Sequence, residues 1–460
     1  MGTDECGIGH LSNGKTIFIP RSAPGDIVKI EIEEEKERYA KGRILEMVSA
    51  SGARVTPKCA LYECCGGCSW QHLNYEEQCA SKANAVASSL AHIAKLDENL
   101  LENILLPIVG SKSQFNYRNK LELAVVTNAE GKLDLAFSGL HGIGNTFPDT
   151  CALASKLLDG TPKALRGALR FLQGQGDLGL FRVGLRASER TRDVELALWT
   201  TPCAFPRAHA VKILTSALPN LTSIVRVIAQ PGKARKIKQV EKLYGNGYWE
   251  ENLCGARFCT SAPSFFQVNT QQAETLVNLA IEYLSEGAAE DAALENKNVA
   301  NSATPTTNAQ FKTKRALENK NVADLYCGGG TFSIPLARAG ANVSAIEAAS
   351  SSVKDLRRNA RNNSVDLNII GGDAAREIKK LPVPDYLVVD PPRAGLGGNV
   401  VSDIAALSPE KLVYVSCNHA TLARDIARFV EFGYVPKKIT PVDLFPQTYH
   451  VETVALLVHE

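Results

Sequence analysis

Several groups of residues have the types and spacing to do chemistry. Cys417 stands in Tyr414-Val415-Ser416-Cys417-Asn418, a β-rich run that gives way to a helical stretch. A thiol between a strand end and a helix start has its thiolate favoured by the helix dipole. A buried structural thiol is the bland alternative. Asp390-Pro391-Pro392-Arg393 ends another β-rich run. Its prolines stop the strand and hold the carboxylate at the sheet edge where ligands bind in open α/β folds. Glu452 follows His450 and Val451 at the start of an apolar strand. Alternation sends His450 and Glu452 to one face, with Glu452 either a base facing the nucleophile or an exposed edge residue.

A second group surrounds Asp324-Leu325-Tyr326-Cys327-Gly328-Gly329-Gly330-Thr331-Phe332, between a β-rich run and a helix. Glycines let the backbone turn sharply and approach a ligand closely, and Gly328 and Thr331 lie in that loop. Ser333 stands where a dinucleotide fingerprint needs its third glycine. Glu347 ends the next strand about twenty residues on, where a carboxylate can accept both ribose hydroxyls of a nucleoside. Asp373 follows the third strand and could read an adenine. Ribose and adenine without pyrophosphate suit S-adenosylmethionine; a generic α/β turn is the alternative.

Half of the twelve cysteines fall before residue 80. Cys59-x5-Cys65-Gly66-Gly67-Cys68 gathers three thiols, and Gly-Gly permits a tight reversal around an inorganic centre. Zinc and an iron–sulfur cluster with a remote fourth ligand both suit that spacing.

The elements that must position these groups are legible from composition and periodicity. A length of 460 residues predicts about three domains. Hydrophobic residues make up 45%, which excludes disorder over the whole chain, and a net charge of +2 excludes a histone-like polycation. No apolar run approaches the ~20 residues of a membrane span. The stretch 1–10 has acids and a cysteine where a signal peptide would have a basic segment and an apolar core, so the chain reads as cytoplasmic. Short strands at 16–19, 27–32 and 39–45 predict a small five-stranded barrel over residues 1–55. Residues 56–260 hold the cysteines, a helix at 78–93 and a basic stretch of Lys233, Arg235, Lys236 and Lys238. Residues 261–460 alternate strands (322–326, 343–346, 368–370, 386–389, 411–416) with helices (348–362, 420–432), a doubly wound α/β pattern. The stretch 285–318 reads as a flexible insertion, and residues 293–300 recur identically as 316–323.

Taken in order, with Ser264-Phe265-Phe266-Gln267-Val268-Asn269 and Thr421-Leu422-Ala423-Arg424-Asp425, these motifs resemble the RNA uracil-5-methyltransferases that carry a TRAM domain and a [4Fe–4S] cluster. The resemblance covers nearly the whole chain. It implies a Rossmann-like class I methyltransferase domain, an N-terminal OB-like β-barrel (TRAM) and a central α+β domain. It implies that Cys59, Cys65, Cys68 and Cys151 hold the cluster, which favours iron–sulfur over zinc. Gln267, Tyr326, Glu347 and Asp390 would line the S-adenosylmethionine and uracil sites, with Cys417 as nucleophile and Glu452 as general base. The sequence departs from the family pattern at His419, where proline is usual, at Tyr449, where glycine is frequent, and at Thr331, where a related branch has asparagine.

The chemistry so implied suits the residue types. A thiolate adding to carbon 6 of uracil makes carbon 5 nucleophilic enough to take a methyl group, and a base then removes the proton at carbon 5. The target uridine must be extruded from RNA into the site. Having both barrel and cluster favours 23S ribosomal RNA, with transfer RNA as the alternative substrate. A non-catalytic RNA-binding or folding factor on the same scaffold is the alternative from another class. A monomer is expected.

Overall fold

The β-rich runs of the last third of the sequence assemble into a seven-stranded sheet in the computed structural model, which describes residues 5–139, 142–174, 176–232, 236–286 and 316–460. Across this sheet the strands run Leu367–Gly371, Asn342–Glu347, Asn321–Leu325, Tyr386–Val389, Lys411–Ser416, Glu452–His459 and Tyr434–Val442. The first five are parallel, and the last two are antiparallel to their neighbours. Helices cover both faces, so the near-continuous apolar runs Tyr386–Val389 and Lys411–Ser416 are buried at every position.

One face packs on helix Thr270–Ser285, whose Ala273, Leu276, Val277, Ala280 and Leu284 join Val388, Val413 and Val454 in one core. The other face packs on helices Val400–Leu407 and His419–Val430, and on two helices from far upstream, Tyr75–His92 and Glu98–Ile104. Asn74 caps the first of these by accepting from the Glu77 N–H at 2.8 Å. Val86, Leu90, Leu101 and Ile104 thus share a core with Leu387, Val389 and Tyr414.

The N-terminal unit differs from the expected barrel. Its described residues form a four-stranded sheet in the order Cys6–His10, Thr16–Pro20, Tyr39–Ser49, Ile27–Glu35, with no closed barrel. The fifth strand fails because the segment after Ser49 is turn-rich and meets a partner only at a single bridge, Arg54 to Leu73. Gly42 sits where a Cβ would lie 2.7 Å from the Glu31 carbonyl, so the two long strands approach closely only with glycine there.

Between these units lies a second seven-stranded sheet, ordered Ile237–Gly245, Ser223–Ala229, Val194–Thr200, Leu180–Ala187, Lys120–Thr127, Leu133–Gly139, Gly142–Thr146. Helices Thr161–Gln173 and Arg207–Ala217 cover one face through Leu165, Leu169, Leu172, Ala210 and Leu214. A hairpin, Trp249–Leu253 with Ala256–Thr260, then leads into helix Thr270–Ser285. The first copy of the duplication, 293–300, lies outside the described residues, whereas the second runs into strand Asn321–Leu325 as its sequence predicts. Among the described residues no helix is long and apolar enough to cross a membrane.

Candidate active site

The reactive side chains gather where the parallel strands end. Antiparallel register sets Ser416 opposite Thr453, so Cys417, one residue beyond, and Glu452, one residue before, emerge side by side. Asn418 caps helix His419–Val430 by accepting from the N–H groups of Ala420 at 3.0 Å and Thr421 at 3.3 Å. The Ser416 hydroxyl closes the turn by accepting from the Asn418 N–H at 3.1 Å. Cys417 therefore sits just ahead of a capped helix N-terminus, half-buried.

Its electrostatic surroundings are those of a closed cluster. Burial pushes the Cys417 thiol up to about 11; the Glu452 carboxylate raises it further, the Arg393 guanidinium opposes and Asp390 adds to the rise. Glu452 is 2% exposed, and its Oε2 has no hydrogen-bond partner among the described residues. Burial holds its carboxyl well above the usual range, reinforced by Asp390 and opposed by Arg393. Burial also pushes Asp390 up to about 7. Arg393 Nη2 lies 3.3 Å from His450 Nε2. Burial, and then Arg393, push that imidazole down to about 4, so at neutral pH it is uncharged and can accept the guanidinium N–H.

Further along the same sheet edge is the glycine loop. Gly330 has φ +96°, and a Cβ there would come within 2.6 Å of Leu356. Tyr326 and Gly328 also have positive φ, +64° and +57°. The Glu347 carboxylate secures this loop: Oε2 accepts from the Gly328 N–H at 2.9 Å and Oε1 from the Ala349 N–H at 2.6 Å. Thr331 is half-buried within the loop. Asp324, beneath it, is fully buried; one oxygen binds the Ser333 hydroxyl and the other has no partner among the described residues. Burial pushes Asp324 up to about 7, Ser333 opposing and Asp390 adding. Asp373 is exposed beyond the third strand, where it caps a short helix by accepting from the Ala375 N–H at 3.0 Å.

Gln267 enters from a different segment. It is 5% exposed, and its backbone carbonyl accepts from Asn119 Nδ2 at 2.9 Å. Its neighbour Phe265 is 64% exposed. That segment borders a cavity of about 400 Å³ lined by Cys59, Cys65, Cys68 and Cys151, with Arg118 and Lys120 beside them. Burial pushes Cys68 up to about 12 and raises Cys65 and Cys151, and each of the three lies within the field of other cysteines of the set. Among the described residues no three His, Cys, Asp or Glu side chains close round a single metal ion. Lys236 and Lys238 are exposed, whereas Lys233 and Arg235 lie outside the described residues.

The tRNA (uracil-5-)-methyltransferase family pattern matches residues 308–460, and the TRAM domain pattern matches residues 3–45. A Listeria innocua protein described as an uncharacterized RNA methyltransferase is 32% identical over 99% of this chain and 95% of its own length. A Thermosynechococcus vestitus protein described in the same words is 32% identical, over 98% and 94%. Among solved structures, the Pyrococcus abyssi tRNA (uracil-54, C5)-methyltransferase bound to S-adenosyl-L-homocysteine is 26% identical and superposes with a TM-score of 0.69, covering 98% of this chain and 99% of that one.

The chain belongs to the RNA uracil-5-methyltransferases.

This methyltransferase uses S-adenosylmethionine as its methyl donor and RNA as its substrate class. Its departures from the family pattern have structural partners. His419 Nδ1 meets the Ser89 hydroxyl at 2.7 Å, tying the helix behind Cys417 to helix Tyr75–His92. Tyr449 packs against Trp70 and Leu73, and its N–H donates to Ser69 Oγ at 3.2 Å. Two groups were missed by sequence reasoning. Arg393 was visible only as part of a motif, with no role. The buried ion pair of Lys82 with Asp443, 2.6 Å apart and each 0% exposed, spans 361 residues and left no local signal.

Proposed function

We propose that this enzyme methylates carbon 5 of one uridine in 23S ribosomal RNA, through a covalent adduct with Cys417. The meeting of Cys417, Glu452, Asp390 and Arg393 at one sheet edge carries this reading. S-adenosylmethionine, when bound, supplies the methyl group and a positive charge. Glu347 is suited to the ribose hydroxyls, Asp373 to the adenine, and Tyr326, Gly328 and Thr331 to the remainder of that molecule. Gln267 and Asp390 read the polar edge of the extruded uracil. Asp390, pushed up to about 7, can donate as well as accept.

Burial favours the protonated forms of the Cys417 thiol and the Glu452 carboxyl. A bound sulfonium would favour the ionised forms, as Arg393 does for Cys417 and Glu452. The Cys417 thiolate bonds to carbon 6, and the electron pair of the 5,6 double bond moves to the enolate. Carbon 5 then bonds to the methyl carbon as the carbon–sulfur bond of the donor breaks. Glu452 takes the proton from carbon 5, the double bond re-forms and the thiolate leaves. The balance is complete without an electron carrier.

Four thiols, those of Cys59, Cys65, Cys68 and Cys151, line the same 400 Å³ cavity, and four thiolates are the donor set of a [4Fe–4S] cluster. Cys59, Cys65, Cys68 and Cys151 would hold a [4Fe–4S] cluster, which would supply a rigid staple and displace the protons that burial keeps on Cys65, Cys68 and Cys151. The same reading divides the chain at 1–55, 56–260 and 261–460, with the TRAM unit and the exposed Lys236 and Lys238 against RNA backbone. It makes the enzyme a cytoplasmic monomer.

Transfer RNA is the second reading, favoured by the Pyrococcus abyssi likeness. Mapping 5-methyluridine in RNA from cells with and without this protein tests both. Loss of one 23S site supports the first, loss of a transfer-RNA site the second, and no lost site opposes both.

A further inference from the structure

Among the described residues, strand Ala256–Thr260 pairs on one side only, with Trp249–Leu253. On its other side a helix takes the place of a strand. The N–H groups of Arg257, Cys259 and Ser261 donate to the side chains of Asn363 (2.9 Å), Asn359 (2.7 Å) and Asp355 (2.9 Å). These acceptors are spaced four apart on and just past helix Ser350–Asn362. Four helical residues rise about 6 Å and two strand residues span about 6.7 Å, so the two ladders stay nearly in register over three rungs. An exposed strand edge is thereby satisfied without a further strand.

The middle rung differs from its neighbours. Asn359 is 0% exposed, and both halves of its amide are used: Oδ1 accepts from Cys259, while Nδ2 donates to the Gly329 carbonyl at 2.9 Å. Gly329 lies in the loop secured by Glu347, and Cys259 lies eight residues before Gln267. One rigid side chain therefore joins the cofactor loop to the strand that leads into Phe265 and Gln267. The end rungs, Asp355 and Asn363, make no such bond to the glycine loop among the described residues.

We propose that Asn359 is a positioning residue that couples occupancy of the S-adenosylmethionine loop to the segment reading the target base, so that cofactor and RNA bind cooperatively. This rests on the assignment of Gly328–Thr331 and Gln267 to the two sites. A ligand that fixes the Gly329 carbonyl fixes Asn359, and through it the Cys259 amide and the turn beyond. By linkage, RNA bound at Gln267 tightens the cofactor by the same factor.

Hydrogen exchange on the full chain with S-adenosylhomocysteine tests this directly. Exchange of the 259–267 amides should slow about 5-fold or more on binding, alongside the 326–347 loop. In Asn359→Asp, which keeps the acceptor for Cys259 and loses the donor to Gly329, the 259–267 slowing should vanish while the loop stays protected. Asn363→Ala, which breaks a rung without touching Gly329, should leave it intact. Protection confined to 326–347 in the unaltered protein would overturn the coupling alone, and needs no variant to fold. Absence of any binding would strike the underlying site assignment as well. As a second readout, affinity for a 23S transcript should rise about 5-fold or more with S-adenosylhomocysteine, and that gain should be absent in Asn359→Asp. An equal gain in both proteins would contradict the role.

Discussion

A thiol held up to about 11 and a carboxyl held well above its usual range are poor tools by themselves. In the proposed mechanism their value lies in being adjacent and desolvated, so that a bound cation and a flat pyrimidine would change both at once. Cys417→Ala should lower single-turnover methylation by 10³-fold or more, a rough figure for loss of a nucleophile, while S-adenosylhomocysteine affinity in calorimetry stays within about 2-fold. Asp324 makes a separate prediction. Its folded value is raised from 3.8 to about 7, so the folded protein keeps a proton that the unfolded chain releases, and stability falls as pH climbs through that window. Asp324→Asn removes this loss. Its stability relative to the unaltered protein should improve by about 4 kcal/mol between pH ~4 and ~8 in urea melts, and a flat difference would contradict the burial argument. Cys417, Glu452 and Asp390 were legible because strand-end motifs put them at one sheet edge. Arg393 gained a role only from three-dimensional charge, and Asn359 only from a register between a helix and a strand.

The loop after strand Tyr434–Val442 delivers Glu452, and distant elements hold it. Gln447 accepts at its carbonyl from Ser69 and Trp70 N–H, at 3.1 and 3.0 Å, just past Cys68. Tyr117 donates to the Pro446 carbonyl at 3.0 Å, and Asn269 Nδ2 to that of Leu444 at 3.0 Å. Lys82 and Tyr75 fix Asp443 at 2.6 and 2.7 Å. Breaking a buried pair by removing one partner leaves an uncompensated charge. Lys82→Ala should therefore cost about 3–5 kcal/mol in urea melts. Lys82→Met with Asp443→Leu should recover most of that stability without restoring single-turnover rate, because the loop loses its anchor; a cost below about 1 kcal/mol for the single variant would refute this. Cys65→Ser should abolish the visible absorption of the proposed cluster, and an unchanged spectrum would remove Cys65 from the ligand set. Strand and helix positions in the last third were legible because parallel strands buried on both faces read as short apolar runs. The expected five-stranded barrel is a four-stranded sheet among the described residues, because strand count there depends on pairing partners, which alternation does not specify.

At the scale of the molecule, the family pattern over 308–460 does not delimit a folding unit. The methyltransferase sheet takes one covering layer from 75–104 and another from 249–285, so its two cores are closed by chain from two earlier stretches. No periodicity within a segment could reveal that. A chain of 308–460 alone should expose those apolar faces and bind a hydrophobic dye or aggregate, whereas a soluble fragment with native circular dichroism would contradict the shared cores. Residues 417 and 452 reach the cleft on two strands whose antiparallel pairing, Ser416 opposite Thr453, aligns them. The most direct measurement is therefore made on the intact enzyme: Glu452→Gln incubated with S-adenosylmethionine and unmodified 23S transcript, then run on a denaturing gel. A methylated adduct that cannot eliminate should accumulate as a slow-migrating protein–RNA band, and should disappear when Cys417→Ala is added. Normal release of 5-methyluridine by Glu452→Gln, or a band that survives loss of the thiol, would contradict the account.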